Sequence, residues 1–109
     1  MEIRLDGRTA LITGGSMGLG KAMALAFAAS GANLVLVARR EDNLVTARAE
    51  IRTASPDARV EIVSADVQTQ AGCLTAYRHA ESVFGGVDIL VNNAGRSATG
   101  QFMETLSLI

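Results

Sequence analysis

The sequence has little of what marks extracellular, metal-binding or membrane-spanning proteins. Its 109 residues include one cysteine, Cys73, so no internal disulfide can form, and no Cys/His cluster has the spacing of metal ligands. No stretch approaches the roughly 20 apolar residues that span a bilayer. The amino-terminal residues MEIRLDGR also lack the apolar core of a signal peptide. These absences predict a soluble, cytoplasmic protein without a metal site.

The chain also has almost no net charge. Ten Lys and Arg residues oppose eleven Asp and Glu residues, which gives a formal net charge of −1 at pH 7. Such a balance produces no general field for nucleic acid or for an anionic membrane, so neither is an expected partner. With 49% hydrophobic residues, the chain has enough apolar side chains for the core of one domain, or of part of one.

Apolar segments of strand type and of helix type alternate along the chain. The patterns predict strands at residues 9–13, 33–38, 59–64 and 87–92, and helices at residues 18–30, 41–54 and 69–84. Alternation with short connections requires right-handed crossovers, and these produce a parallel sheet covered by helices. The predicted fold class is therefore α/β, a Rossmann-type doubly wound sheet.

Two of the predicted helices have apolar faces that should contact the sheet. The predicted faces are Leu44, Ala47 and Ile51 in residues 41–54, and Leu74, Tyr77, Ala80 and Phe84 in residues 69–84. The strand at residues 59–64 is less apolar than the others, which favours a position at a sheet edge.

A glycine-rich loop, residues 14–20, follows the first strand in the stretch TGGSMGLG. A loop between a parallel strand and a helix lies at the carboxyl edge of the sheet, where the helix amino terminus attracts phosphate. We assign Gly14 to the sharp exit from the strand and Gly18 to close approach of the backbone to a pyrophosphate. Gly20 would allow tight packing of the helix on the sheet.

The other positions of the glycine-rich loop complete the predicted contact segment. Ser16 is placed to add a hydroxyl contact to phosphate, and Met17 and Leu19 are predicted to contact the same ligand. The alternative is a plain tight turn without a ligand. Four glycines between residues 14 and 20 argue against that alternative, because glycine loses more freedom on folding than any other residue.

Two motifs resemble the short-chain dehydrogenase/reductase family. TGGSMGLG has the T-G-x-x-x-G-x-G spacing of that family's cofactor loop, and VNNAG at 91–95 is similar to its N-N-A-G motif after the fourth strand. The resemblance covers essentially all of residues 1–109, as the amino-terminal, cofactor-binding part of a longer single-domain enzyme. It implies a strand order of 3-2-1-4, incomplete here, and hydride transfer to or from a small-molecule carbonyl or secondary alcohol.

The end of the second strand bears on the choice of cofactor. An acidic residue about 20 positions past the glycine loop would favour NAD, whereas arginine there accommodates a 2′-phosphate. No carboxylate stands at that strand end, and Arg39 and Arg40 follow it. We therefore predict NADP(H) in preference to NAD(H). The alternative, that the two arginines pair with Glu41 and Asp42, stays open and is nearly as good for Arg40.

The resemblance implies further cofactor contacts. Asp66 would accept a hydrogen bond from the adenine amine, with the Val67 backbone alongside. Asn92 would tie neighbouring strands together through its amide, and Ala94 and Gly95 would form a smooth wall against a ribose. Asp66 is equally suited to capping the helix that follows it, and the N-N-A-G residues are also ordinary turn residues.

The family's catalytic Y-x-x-x-K pair is missing. The single tyrosine, Tyr77, has Glu81 four positions later, and the single lysine, Lys21, either attracts phosphate or faces solvent. We assign no catalytic residue and expect a truncated form of a longer enzyme that forms dimers or tetramers. Two alternatives are a non-catalytic dinucleotide-binding module and an association-prone remnant.

Overall fold

Strands and helices alternate over residues 4–93, the part of the chain that the computed structural model describes. The elements in chain order are β1 (Thr9–Thr13), α1 (Gly18–Ala29), β2 (Asn33–Ala38), α2 (Glu41–Ala54), β3 (Val60–Ser64), α3 (Gln70–Phe84) and β4 (Ile89–Asn92). All the predicted elements of residues 4–93 are present, with ends that differ from the prediction by at most two residues.

The strands form one parallel sheet in the order β3-β2-β1-β4, which confirms the predicted fold class and strand order. β1 therefore lies between β2 and β4, and Leu11 is opposite Val35 on one side and Leu90 on the other. β3 is at an edge, as its lower apolar content predicts. Because the strands are parallel, their carboxyl ends meet at one edge of the sheet.

Helices cover both faces of the sheet, and side chains alternate between them along each strand. One core contains Ala10, Ile12, Leu34, Leu36 and Val60 of the strands, Ala24 and Ala28 of α1, and Leu44, Ala47 and Ile51 of α2. The other contains Leu11, Val35, Val37 and Val63 of the strands, Val67, and Cys73, Ala76 and Ala80 of α3. The apolar face predicted for residues 41–54 is confirmed.

The face predicted for α3 was wrong in part. Its fully buried residues are Cys73, Ala76 and Ala80, whereas Leu74, Tyr77 and Phe84 are half-buried at the sides of this line. Small side chains let the helix axis approach the sheet closely, and the larger ones then lie beside the contact instead of in it. The search for large apolar residues at helical spacing therefore missed the contact line.

Two polar contacts explain where elements begin. The Thr69 hydroxyl accepts a hydrogen bond from the Gly72 N–H at 3.0 Å, so Thr69 is the cap and α3 begins at Gln70. The Asp88 carboxylate accepts from the Thr9 N–H at 2.8 Å, and the Asp88 N–H donates to the Thr9 carbonyl at 2.9 Å. These bonds hold Asp88, the residue before β4, beside Thr9, the first residue of β1. Within residues 4–93, no helix is long and apolar enough to cross a membrane.

Candidate functional site

The glycine-rich loop leaves β1 through a backbone conformation that suits glycine. Gly14 has a φ of +67°, and its N–H donates to the Val37 carbonyl at 2.9 Å, which holds the exit of β1 against β2. Gly18, the first residue of α1, has a φ of +55°. L-amino acids with side chains rarely adopt this region. The chain can therefore turn from strand to helix within a few residues.

Gly20 permits the close packing of α1 on the loop. A Cβ atom built at Gly20 would overlap the carbonyl oxygen of Gly14, and it would lie 3.0 Å from the Asn93 side-chain nitrogen. A Cβ built at Gly18, by contrast, would have no atom within 4 Å. Gly20 is thus required by protein packing, whereas the space at Gly18 is open on the side where a ligand would approach.

The amino terminus of α1 has backbone donors to offer. Met17, the residue that precedes the helix, makes no side-chain capping bond. Within residues 4–93, no acceptor binds the N–H groups of residues 18–20, and Lys21 is the first to donate, to the Met17 carbonyl at 3.3 Å. Ser16 is half-buried beside them, and the side chains of Met17 and Leu19 are exposed. Unsatisfied N–H groups at a helix amino terminus attract anions.

Thr13 joins the glycine-rich loop to the end of β4, and sequence reasoning missed it. Its side chain is fully buried. The hydroxyl oxygen accepts from the Asn93 N–H at 3.0 Å and lies 3.1 Å from the side-chain oxygen of Asn92, to which it donates. The Asn92 side-chain oxygen is thus bonded to the last residue of β1 through the Thr13 side chain. The available signal was a polar residue, threonine, at the last position of a short strand whose pattern predicts burial on both faces.

A cavity of about 220 Å³ opens at the carboxyl ends of β2 and β3. Four predicted contact residues, Gly14, Arg39, Asp66 and Val67, line it together with Val37, Ala38, Ala65 and Gln68. The exposed Arg39 guanidinium forms no hydrogen bond or ion pair with any group in residues 4–93. One cavity thus brings together residues from three separate loops.

Asp66 is held in place by its own turn. Its Oδ1 accepts from the Gln68 N–H at 2.9 Å, and its carbonyl oxygen accepts from the Thr69 hydroxyl at 2.8 Å. The cap of α3 is Thr69, so the alternative of Asp66 as cap was wrong. The next turn is held by the Cys73 thiol, which donates to the Val67 carbonyl at 3.2 Å. Burial raises the pKa of that thiol, which keeps it protonated.

Arg40 differs from Arg39 in having an internal partner. Its guanidinium lies 3.0 Å from the Asp42 carboxylate, and both side chains are exposed. The hydrogen bond and the charge of Asp42 raise the pKa of Arg40, and the same hydrogen bond holds the pKa of the Asp42 carboxyl below its ordinary value. Arg40 does not line the cavity. Pairing, the alternative that the sequence left open, is therefore the observed state of Arg40.

The remaining candidates lie apart from this edge or outside it. The Lys21 ammonium is 2.7 Å from the Glu50 carboxylate and joins α1 to α2. Tyr77 is half-buried on α3, at the other end of the fold from the cavity, where it lines a hollow with Gly85 and Asp88. Ala94 and Gly95 lie outside the described residues. Within residues 4–93, no three His, Cys, Asp or Glu side chains are grouped as a metal site would require.

A larger hollow of about 330 Å³ lies at the opposite, amino-terminal edge of the sheet. Arg4, Asp6 and Gly31 are among its lining residues, and Arg4 is already bonded to Asp6 at 2.9 Å. The carboxyl termini of helices point towards that edge, and these repel anions. The smaller cavity is the better candidate because the free N–H groups and the loops between parallel strands and helices are at its edge.

Comparison with known proteins agrees with this geometry. A sequence model of the short chain dehydrogenase family matches residues 8–107. D-beta-hydroxybutyrate dehydrogenase of Cupriavidus necator is 44% identical over 91 residues, which are 84% of this chain and 34% of that protein. The 11-beta-hydroxysteroid dehydrogenase-like 4A protein of Arabidopsis thaliana is 42% identical over 97% of this chain and 35% of its own length.

A solved structure extends the comparison to three dimensions. The crystal structure of L-sorbose reductase from Gluconobacter frateurii, complexed with NADPH and L-sorbose, superposes with a TM-score of 0.82 at 44% identity. The match covers 88% of this chain and 36% of that one. The chain spans about a third of the length of the curated relatives named above. It belongs to the short-chain dehydrogenase/reductase family of oxidoreductases.

Proposed function

We propose that residues 1–109 are the NADP(H)-binding, amino-terminal part of a longer oxidoreductase that acts on a small carbonyl compound or secondary alcohol. The observation that carries the proposal is the placement of two complementary groups at one sheet edge. These are the N–H groups of residues 18–20, which have no acceptor in the described part of the chain, and the cavity lined by Arg39 and Asp66. The first group suits a pyrophosphate and the second suits a phosphorylated adenosine.

The cofactor fits the residues that are present. Because no side chain occupies the space at Gly18, a diphosphate can approach the helix amino terminus. Met17, Leu19 and Ser16 would flank it, while Asn92 and the following Ala94 and Gly95 would adjoin the nicotinamide ribose. The bound dinucleotide would supply the hydride to a carbonyl or accept it from a secondary alcohol, and these residues would bind and orient the dinucleotide. The NADPH that is bound to the related L-sorbose reductase supports this choice of ligand.

Arg39 carries the preference for NADP(H) over NAD(H) in this proposal. Because the Arg39 guanidinium has no partner within residues 4–93, it is available to form paired hydrogen bonds with a 2′-phosphate, and its charge does not depend on pH. Arg40 would add a weaker contribution, since it would first have to leave Asp42. The cavity-lining residues at the end of β2 are Val37, Ala38 and Arg39, and none of them has a carboxylate that could hold a free 2′-hydroxyl.

Nucleotide titration tests the assignment. We expect the chain to bind NADPH at least about tenfold more tightly than NADH, as measured by nucleotide fluorescence. Arg39→Gln should remove about a factor of ten from NADPH affinity and change NADH affinity less than about twofold. Arg39→Asp should reverse the preference. Arg40→Gln is the matched control with a smaller effect; equal binding of both nucleotides by all these proteins would refute the assignment.

The chain itself should bind the dinucleotide without turnover. A tyrosine needs a neighbouring cation to act as a base near neutral pH. Tyr77 has Glu81 one helical turn away, and Lys21 is paired with Glu50 on the opposite face of the sheet. NADPH mixed with this chain and a set of ketones should therefore keep its absorbance, although its fluorescence reports binding. NADPH oxidation above the rate without protein would contradict this expectation.

A further inference from the structure

Ser64 makes a contact that no predicted role explains. Its hydroxyl donates to the Arg39 carbonyl at 2.8 Å, across the ends of β3 and β2. The backbone ladder between these strands ends one step earlier, where the Ala65 N–H donates to the Ala38 carbonyl at 3.0 Å. The hydroxyl thus continues the pairing of the two strands by one residue.

The two bonds hold the peptide groups on both sides of the Arg39 Cα atom. The bond to the Ala38 carbonyl fixes the peptide before Arg39, and the bond from Ser64 fixes the peptide after it. A Cα atom between two fixed peptides has a fixed Cα–Cβ direction, since φ and ψ are the only soft backbone angles. The base of the Arg39 side chain is therefore aimed along one direction at the rim of the cavity, although its guanidinium is unrestrained.

We infer that Ser64 is a positioning residue. It orients Arg39, and Arg39 in that orientation discriminates between adenosine ligands with and without a 2′-phosphate. The inference rests on the proposed function, because it concerns the same cavity. Paired hydrogen bonds between a guanidinium and a phosphate depend on direction. Loss of the Ser64 hydroxyl frees the peptide after Arg39, so the side chain must be ordered at the cost of binding energy when the phosphate arrives.

A pair of ligand fragments isolates this effect. Adenosine 2′,5′-bisphosphate and AMP differ only in the 2′-phosphate, and both can be titrated into the 109-residue chain by calorimetry. Ser64→Ala should weaken adenosine 2′,5′-bisphosphate about threefold to tenfold, the value of one hydrogen bond, and change AMP less than about twofold. Ser64→Thr keeps the hydroxyl and should bind both ligands as the unmodified chain does.

A double-mutant cycle separates positioning from a purely structural role. In the Arg39→Gln background, Ser64→Ala should produce no further loss of adenosine 2′,5′-bisphosphate affinity, because the group that it positions is gone. Equal weakening of both fragments by Ser64→Ala, or an undiminished effect in the Arg39→Gln background, would overturn the inference. If Arg39→Gln alone leaves both affinities unchanged, the assignment of Arg39 fails first, and the role of Ser64 falls with it.

Discussion

The two ends of the candidate site are built in different ways. The glycine-rich loop is held by contacts inside the fold. Gly20 packs against the Gly14 carbonyl, and the buried Thr13 hydroxyl accepts a hydrogen bond from the Asn93 N–H after β4. The arginine corner, residues 39–42, has exposed side chains, and the Arg40 guanidinium is bonded to the equally exposed Asp42 carboxylate. The conformation of the glycine-rich loop is fixed by close packing, whereas the arginine corner consists of exposed, charged side chains.

This contrast separates two kinds of mutational effect. A change at a closely packed position of the glycine-rich loop, such as Gly20, should disturb the fold as well as binding, because a new side chain there would overlap the Gly14 carbonyl. A change in the arginine corner leaves the core intact, so it can alter the choice of ligand at almost constant stability. This difference makes the arginine corner the easier place for cofactor preference to change.

The largest effect is expected for Gly20→Ala. The new methyl group would overlap the Gly14 carbonyl, so α1 would have to move away from the sheet. We expect a loss of about 3 kcal/mol or more in the free energy of unfolding, measured by chemical denaturation, together with loss of nucleotide binding. Gly18→Ala is the control: its methyl group meets open space, and only the positive φ costs about 1 kcal/mol. Equal stability of the two variants would contradict the packing role of Gly20.

Thr13→Val should have the next largest effect. Valine has nearly the shape of threonine but can neither accept from the Asn93 N–H nor donate to Asn92. The expected loss is about 1 kcal/mol in the free energy of unfolding, since the part-buried Asn93 N–H and Asn92 side-chain oxygen each lose the bond to the Thr13 hydroxyl. Thr13→Ser keeps the hydroxyl and should lose less. If the valine variant is as stable as the serine variant, the hydroxyl does not hold β1 to β4.

The smallest effect is expected at the arginine corner, for Arg40→Gln. The pKa of Asp42 is held below its ordinary value by the Arg40 hydrogen bond, so the variant should raise that pKa. Carbon-detected NMR titration of the Asp42 carboxyl measures this directly. The pair's small stabilisation is present above the unfolded-state pKa of Asp42 and is lost as pH falls through the folded-state pKa. An unchanged Asp42 titration in the variant would show that the pair does not form in solution.

The fold was predictable because its signals are repeated along the chain. β1 and β2 are continuous apolar runs, and their burial on both faces follows directly from composition. The position of α2 was equally clear, since its buried residues, Leu44, Ala47 and Ile51, include two large aliphatic side chains at helical spacing. The buried face of α3 was not, because alanine and cysteine form it and carry little hydrophobic signal. Close packing selects small residues there, and a search for large ones overlooks them.

The candidate site was predictable only where a motif in the sequence indicates the kind of ligand that its residues bind. The glycine spacing pointed to the loop, and the positions after β2 and β3 pointed to Arg39 and Asp66, which line one cavity. Thr13 and Ser64 were missed because each acts on a partner in a different strand. Such partners are known only once the strand order and register are known. The pairing of Arg40 with Asp42, by contrast, was among the alternatives that the sequence left open.

The bond between Thr13 and the end of β4 also has a consequence for the order of assembly. Thr13 lies 79 positions before Asn92 and 80 positions before Asn93, the two residues to which its hydroxyl is bonded. A ribosome that adds 5–20 residues each second needs about 4–16 s to make that interval. Until then the first strand has a neighbour on one side only. The pairing of β1 with β2 must therefore persist on the contacts of the earlier residues until those of β4 have been made.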